Sequence, residues 1–364
     1  MPTLRYFPVI RVSILLVLSA LIFDPGVAWA QQMDHPWRGI AGDDARPATG
    51  LVLGEPFTNE LLPRALSQDG RFVVFMSRAA LVASDTNNEW DIYLRDRQTN
   101  ALSRVSVAAD RGDANGISSW PTISRDGRYV AFTSAATNLV ANDSNALPDD
   151  FIFDREQQTT VRVNLGPNGE ESLSEAGLVS ISADGRYAVF TAIFGYAPAP
   201  QPWLRDRDRD GNGIFDEPGL TTTTQLPAPT PSSTEQLFGF GWMILSGDAR
   251  FVTYNPTVYT QDWQPLGSRL YVHDRVTGTT TLMGNGNVEP GTVIEAQEPA
   301  FSDAGHLVYA TNAPNLVADD DDIDMDVFVV NLFTGGHTRL QLTHAGAPTL
   351  AEARFPRSAA TDAS

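Results

Sequence analysis

An all-β chain built from repeated four-stranded units is predicted by three observations on the 364 residues. One turn motif recurs with its glycine-equivalent positions at 70, 127, 185, 249 and 305, spacings of 57, 58, 64 and 56. Each copy carries the same order of short apolar strands and turn residues. No helical periodicity lies between the copies. A fixed period of this size means stacked or radially arranged units.

The motif reads Ser67-Gln68-Asp69-Gly70-Arg71-Phe72-Val73-Val74-Phe75, then Ser124-Arg125-Asp126-Gly127-Arg128-Tyr129-Val130-Ala131-Phe132, then Ser182-Ala183-Asp184-Gly185-Arg186-Tyr187-Ala188-Val189-Phe190. Ser246-Gly247-Asp248-Ala249-Arg250-Phe251 and Ser302-Asp303-Ala304-Gly305-His306-Leu307 are degenerate copies. A short strand ends in a turn where Gly takes positive φ and Asp closes on its own backbone. An apolar strand and an Asn/Asp-rich loop follow. A third strand comes next, as in Asp91–Asp96, Asp150–Asp154, Trp203–Asp206, Arg269–Asp274 and Asp326–Asn331. A last, Thr/Arg/Val-rich strand closes the unit, as in Ser103–Val107 and Thr160–Asn164. Four short strands per unit describe a β-propeller blade. A parallel β-helix would repeat at a shorter interval and would not need hairpin turns inside every unit. The expectation is a β-propeller of four-stranded blades, five full repeats plus the start of a sixth at Phe355–Ala360.

The pattern S-x-D-G-R-[YF]-V-[AV]-F, N-L-V-A-x-D-x-N, D-x-[FY]-x-x-D-R-x-T-G resembles the WD40-like repeats grouped with the TolB β-propeller family. The resemblance covers roughly residues 60–345, with copies three and four departing at Phe194–Pro202 and Asn255–Pro265. It implies the propeller fold, and it is specific for fold rather than function, since one such fold hosts many roles.

Residues 1–30 read as a secretory signal peptide: Arg5 and Arg11, an apolar run Val12–Phe23, and Ala28-Trp29-Ala30 before the cleavage point. Twelve apolar residues reach about 18 Å as a helix, short of the roughly 30 Å hydrocarbon core. Residues 31–50 read as a flexible N-terminal segment, and 51–364 as the propeller, truncated at its C-terminal end because the sixth repeat stops after its first strand. The product is exported, periplasmic or extracellular, with no membrane span in the mature chain.

Composition excludes much chemistry. Cysteine and lysine are both absent, so disulfides, thiolate metal sites, Schiff bases and a P-loop lysine are excluded. The net charge of −19 becomes −20 once Arg5, Arg11 and Asp24 leave with the signal peptide, which disfavours nucleic acid and favours cations. The histidines His35, His273, His306, His337 and His344 show no zinc-hydrolase spacing, and no G-x-S-x-G elbow occurs.

Two acidic patterns point to calcium as the cofactor. In Asp206–Glu217 the register starting at Asp208 places Asp208, Asp210, Asn212, the Ile214 carbonyl and Asp216 at hard-cation ligand spacing, with Glu217 beside them. Asp206 aligns instead with the framework residues Asp96, Asp154 and Asp274. The second pattern recurs at offsets +2 and +6: Asp85, Asn87, Asp91; Asp143, Asn145, Asp149; Asp320, Asp322, Asp326. Asx side chains capping their own turns explain it without an ion, and cation binding is the sharper reading for Asp320, Asp322, Asp324 and Asp326. Trp90, Trp120, Trp203, Trp242 and Trp263 are of the type that stacks on sugars, although aromatics in propellers mostly fill inter-blade space.

The sequence therefore reads as an exported, calcium-stabilised β-propeller that serves as a binding scaffold. Its partner is a protein or other envelope component, with a glycan as the secondary candidate. The alternatives are a propeller-type carbohydrate-active hydrolase or lyase and a TolB-like periplasmic envelope component.

Overall fold

The computed structural model describes residues 65–340, apart from positions 198, 232–233, 242, 285–292, 303–304, 319 and 321–322. No helix occurs among the described residues. They fall into two compact units: one runs to Ala228 and adds Met243–Ala249, and the other takes Pro229–Trp242 and everything from Arg250 onward.

The first unit carries three antiparallel sheets, one for each of the first three repeats. Sheet one is β1 (Phe72–Ser77), β2 (Asp91–Asp96) and β3 (Leu102–Arg104), with Leu66 bridging to Val73 in the place of a fourth strand. Sheet two is β4 (Ser118–Ile123), β5 (Tyr129–Ser134), β6 (Asp149–Asp154) and β7 (Thr159–Arg162). Sheet three is β8 (Ser180–Ile181), β9 (Tyr187–Ala192), β10 (Gln201–Asp206) and β11 (Thr222–Gln225).

The second unit holds β12 (Glu235–Phe238), β13 (Phe251–Tyr254), β14 (Thr257–Thr260), β15 (Pro265–Ser268), β16 (Leu270–Asp274) and β17 (Thr279–Met283). The fifth repeat adds β18 (Ala296–Phe301), β19 (His306–Thr311), β20 (Asp326–Asn331) and β21 (His337–Leu340) as a four-stranded sheet. The fourth repeat departs from expectation. Its own sheet is β13-β16-β17, and an additional sheet, β12-β14-β15, stands where the other repeats have an acidic loop. The expected sixth repeat, the signal peptide and residues 31–50 lie outside the described residues.

Each repeat is organised by its turn. Ser124 Oγ donates to Asp126 (2.6 Å) and accepts the Tyr129 N–H (2.9 Å), while Asp126 accepts the Arg128 N–H (2.9 Å). The same bonds recur at Ser67, Asp69, Arg71 and Phe72 and at Ser182, Asp184, Arg186 and Tyr187. Two constraints select the glycine. Gly127 and Gly185 both have φ +75°, and a Cβ there would lie 2.3 Å from the Phe72 and Tyr129 rings of the preceding sheet. The turn of one sheet is thus the seat for an aromatic ring of its neighbour.

Sheets one and two share a core of Val74, Ile92, Leu94, Ile123, Val130, Phe132, Phe151 and Phe153. Sheets two and three share Ala131, Ile152, Val163, Ile181 and Ala188. Burying a ring such as Phe132 or Phe151 (both 0 % exposed) contributes about 1.5–3 kcal/mol. β6 is therefore buried on both faces.

A guanidinium–carboxylate pair fastens one end of the main sheet in each of the first four repeats. Arg71 donates through Nε and Nη2 to Asp96 (3.0 and 2.7 Å), and Arg186 donates likewise to Asp206 (2.8 and 2.8 Å). Arg128 with Asp154 and Arg250 with Asp274 repeat the arrangement. Each guanidinium also lies over the next aromatic ring, at 4.7 Å for Arg71 on Phe72 and 4.9 Å for the others. The fifth repeat substitutes a neutral pair, with His306 Nε2 and Asn331 Nδ2 at 3.4 Å. Asp206 is thus a framework residue, in the place that its alignment indicated.

Candidate functional site

The recurring acidic loops close around an arginine. Strand β3 ends at Arg104, whose guanidinium meets Asp85 (3.2 Å), Asp91 (3.4 Å) and Asp113 (2.6 Å). Strand β7 ends at Arg162, which meets Asp143 (3.1 Å), Asp149 (3.0 Å) and Glu171 (2.7 Å). The Arg104 and Arg162 side chains are 1 % and 7 % exposed. Asn87 and Asn145 cap their own turns through the N–H of Glu89 (2.9 Å) and Leu147 (3.1 Å), and each donates to the buried aspartate four residues on. Glu171 is tied by the Ser144 N–H and Oγ (2.8 and 2.6 Å), and those bonds, with Arg162, hold its carboxyl at about 2. Burial instead pushes Asp91 and Asp143 above the usual carboxylate range.

The fifth repeat follows suit in part. Asp326 pairs with Arg339 at 2.7 Å, Asp320 is buried with its Oδ2 accepting the Leu316 N–H (3.2 Å), and Asp324 is exposed. Asp322 lies outside the described residues. Asp320, Asp324 and Asp326 are thus not brought to a common point. The third repeat replaces the acid and the arginine by two amides, Gln225 donating to Gln201 (3.3 Å).

The hairpin tip after β10 divides the other proposed ligand set. Asp208, 4 % exposed, turns inward to accept the N–H groups of Asn212 (3.0 Å) and Gly213 (3.1 Å). Asp216 accepts from Arg207 Nε (2.9 Å) and Nη2 (2.5 Å). Arg207 lies against both the Tyr129 and Phe215 rings (4.8 and 5.1 Å), which stack on each other at 5.3 Å, and donates to the Gly185 carbonyl (2.7 Å). Asp210 and Glu217 do come together, bridged by Asn212 Nδ2 (3.0 and 2.7 Å). Ile214 donates its N–H to Asn212 Oδ1 (2.7 Å), and its side chain is exposed. Among the described residues no group of three or more His, Asp or Glu is placed to hold a metal ion.

The described histidines are built into the sheets. His273 is buried against Thr280 (Nδ1 to Oγ1, 3.0 Å), and His337 meets the Tyr309 ring edge-on at 6.2 Å. Burial lowers both from the ordinary imidazole value. Trp203 is a core residue, packed on Phe194 at 5.0 Å with Nε1 donating to the Ala192 carbonyl. Trp263, in contrast, is 59 % exposed.

One buried carboxylate stands apart. Asp150 occupies the position that Ile92 and Val327 fill in other repeats. Its Oδ1 accepts from Thr133 Oγ1 (2.7 Å), and its Oδ2 has no hydrogen-bond partner. Burial, opposed by the Thr133 bond and reinforced by Asp149, pushes its pKa up to about 7. The clamping arginines were not singled out from sequence, yet their signal is there. Arg104, Arg162 and Arg339 each follow the last acid of the series by thirteen residues (Asp91, Asp149, Asp326).

No protein-family model matches the chain, and no curated protein matches it. Solved structures similar to it include TolB from Acinetobacter baumannii, at 16 % identity and TM-score 0.42 over 76 % of this chain and 53 % of that one. The chain thus spans about half the length of that relative. The tricorn protease is similar at 11 % identity and TM-score 0.44 over 79 % of this chain and 26 % of that one. The β-propeller domain of the Trilobed protease from Pyrococcus furiosus is similar at 12 % identity and TM-score 0.37, with 76 % and 83 % covered.

Replacing Arg162 by Met leaves Asp143 and Asp149 buried without their counter-charge and is expected to cost about 3–5 kcal/mol in urea unfolding. Adding Asp149→Asn to that variant restores part of the loss, because the two changes are coupled. A purely additive pair of losses would contradict the clamp. Asp150 contributes one pH dependence. Its folded value lies above the unfolded value near 3.8, so its favourable contribution is complete below pH 4 and declines as pH rises to about 7. Asp150→Asn is expected to flatten the stability profile between pH 4 and 7 and to stabilise the protein at pH 8 by roughly 1–3 kcal/mol.

Proposed function

We propose that this chain is an exported, non-catalytic binding scaffold whose partner is a protein or other component of the cell envelope. The observation that carries the reading is the use of arginine clamps at both ends of the first two repeats and at one end of the others. They give a rigid frame, and the connecting segments of the third and fourth repeats depart from it. Rigid sheets that present variable connections are the usual arrangement of a binding module. The leader-like residues 1–30 support export. Against the hydrolase alternative, the acids of the recurring loops and Asp216 are engaged by Arg104, Arg162, Arg207 and Arg339.

Calcium belongs to the same proposal as a stabiliser of the hairpin tip, held by the Asp210 and Glu217 carboxylates in the place where Asn212 Nδ2 bridges them. Asp208→Ala cannot test it, because Asp208 caps two backbone N–H groups with or without an ion. Chelation by EGTA is expected to lower the melting temperature of the wild type and to leave Asp210→Ala/Glu217→Ala unaffected. An unchanged wild-type curve removes calcium from the reading. For the scaffold itself, full-length expression in a Gram-negative host is expected to yield exported protein beginning at Gln31, with no turnover of any polysaccharide in a panel. Uncleaved cytoplasmic protein or reproducible release of sugar ends would overturn it.

A further inference from the structure

Arg205 places a cation in the seam between sheets two and three. On β10 it stands opposite Ala188 of β9 and Thr223 of β11, so these three side chains share a face. Ala188 belongs there to one core cluster with Ile152 and Val163 of the second repeat. Thr223 Oγ1 donates across the seam to the Leu165 carbonyl (2.8 Å). The guanidinium is held by two hydroxyls, Nη1 donating to Thr223 Oγ1 (3.1 Å) and Nη2 to Thr221 Oγ1 (3.0 Å).

The charge of this guanidinium is unmet. Among the described residues, Arg104, Arg162, Arg205 and Arg339 each have a buried Nε without a hydrogen-bond partner. Arg104, Arg162 and Arg339 face carboxylates through their Nη atoms, whereas no described carboxylate pairs with Arg205. Asp216, the acid whose charge acts on Arg205, is turned to Arg207. Burial pushes the Arg205 guanidinium below the usual arginine range. Two hydroxyls solvate such a charge without neutralising it. A buried donor lacking an acceptor marks the place of a water or an ion. Arg205 is itself partly exposed, so the seam opens to solvent at this residue.

We propose that the Nε/Nη2 edge of Arg205, with the Thr221 hydroxyl, binds a small monoanionic carboxylate. Arg71 and Arg186 hold carboxylates in this chain through that same edge, Nε and Nη2 reaching one oxygen each. In Arg205 the Nε–H of the edge has no acceptor, and Thr221 keeps its own hydroxyl proton to donate to the ligand. Charge selects a monoanion. Arg205 and Arg207 against Asp216 leave one positive charge at the site, and the chain as a whole, at −19, repels a dianion such as sulfate or phosphate more strongly. Shape selects against chloride, which offers one acceptor to a two-pronged donor. Size selects a free acid, because the Nε–H lies buried in the seam, out of reach of a side chain on another protein. The site is independent of the scaffold reading.

The test is titration of the full, isotope-labelled chain with sodium acetate, sodium phosphate or sodium chloride at matched ionic strength, read by the arginine Nε–Hε resonances and by melting temperature. Acetate is expected to shift the Arg205 resonance saturably and to raise the melting temperature by about 4 °C at a hundredfold excess over its Kd. Phosphate and chloride are expected to bind about tenfold more weakly. Arg205→Met is expected to lose the acetate response while melting at or above the wild type in acetate-free buffer, since it removes an unpaired charge. Thr221→Val keeps the arginine and is expected to weaken acetate binding about tenfold. A guanidinium that merely braces Thr221 and Thr223 would lower the melting temperature of Arg205→Met with or without acetate, and that result overturns the site. So does the absence of a saturable shift in the wild type, an acetate response kept by Arg205→Met, or phosphate or chloride binding as tightly as acetate. Each of these failures leaves the scaffold reading untouched.

Discussion

The structure depends on a guanidinium held by carboxylates at the ends of its sheets. An isolated pair of short antiparallel strands is marginal in water, and register is set wherever the chain is fixed. Arg71 on Asp96 fixes the start of β1 against the end of β2. Arg104 among Asp85, Asp91 and Asp113 fixes the opposite end of the same pair. The rigid planar fork of arginine satisfies two carboxylate oxygens at once and can stack on a ring, which a lysine ammonium cannot do.

Burying ions is costly, and the second type of clamp buries several. A guanidinium among three carboxylates is favourable only if the remaining lone pairs are also satisfied. Around Arg162 most are: Asn164 donates to Asp149 (2.6 Å), Ser144 ties Glu171, and Asn145 caps its own turn, while Asp143 Oδ2 and Arg162 Nε are buried without a hydrogen-bond partner. The substitutions between repeats obey the same rule, because partners change together. Gln225 with Gln201 replaces an ion pair by two amides, and His306 with Asn331 does so at the other end. Arg269 occupies an acid's position and takes Glu235 from the inserted sheet as its partner.

The repeat was legible because a turn with Ser, Asp and Gly at fixed positions has one backbone solution, and three full copies with two degenerate ones leave little freedom. Asp206 could be taken from the calcium pattern and returned to the framework by alignment alone. The acidic loops were legible as cation sites, and the identity of the cation was not. The arginine lies thirteen residues away on another strand, where its role depends on pairing rather than on spacing. Asp208 shows a related limit. A carboxylate closing a glycine turn has the same sequence signature whether its oxygens face a metal or backbone N–H groups. The inserted sheet was unreadable for a topological reason: β12 pairs with β14 across the whole of β13, so no local periodicity announces it.

A chain whose basic side chains are all arginine has a chemical consequence beyond folding. No ε-amine exists anywhere along it. Amine-directed acylation, glycation, reductive methylation and bis-ester cross-linking therefore find nothing to modify except a chain terminus. Guanidinium also keeps its proton far into alkaline solution, so these clamps fail by carboxylate protonation rather than by base. Mapping of neighbours by cross-linking has to proceed through the carboxylates, and it would report first on the exposed acids, such as Asp210 and Asp262, rather than on those shielded by arginine.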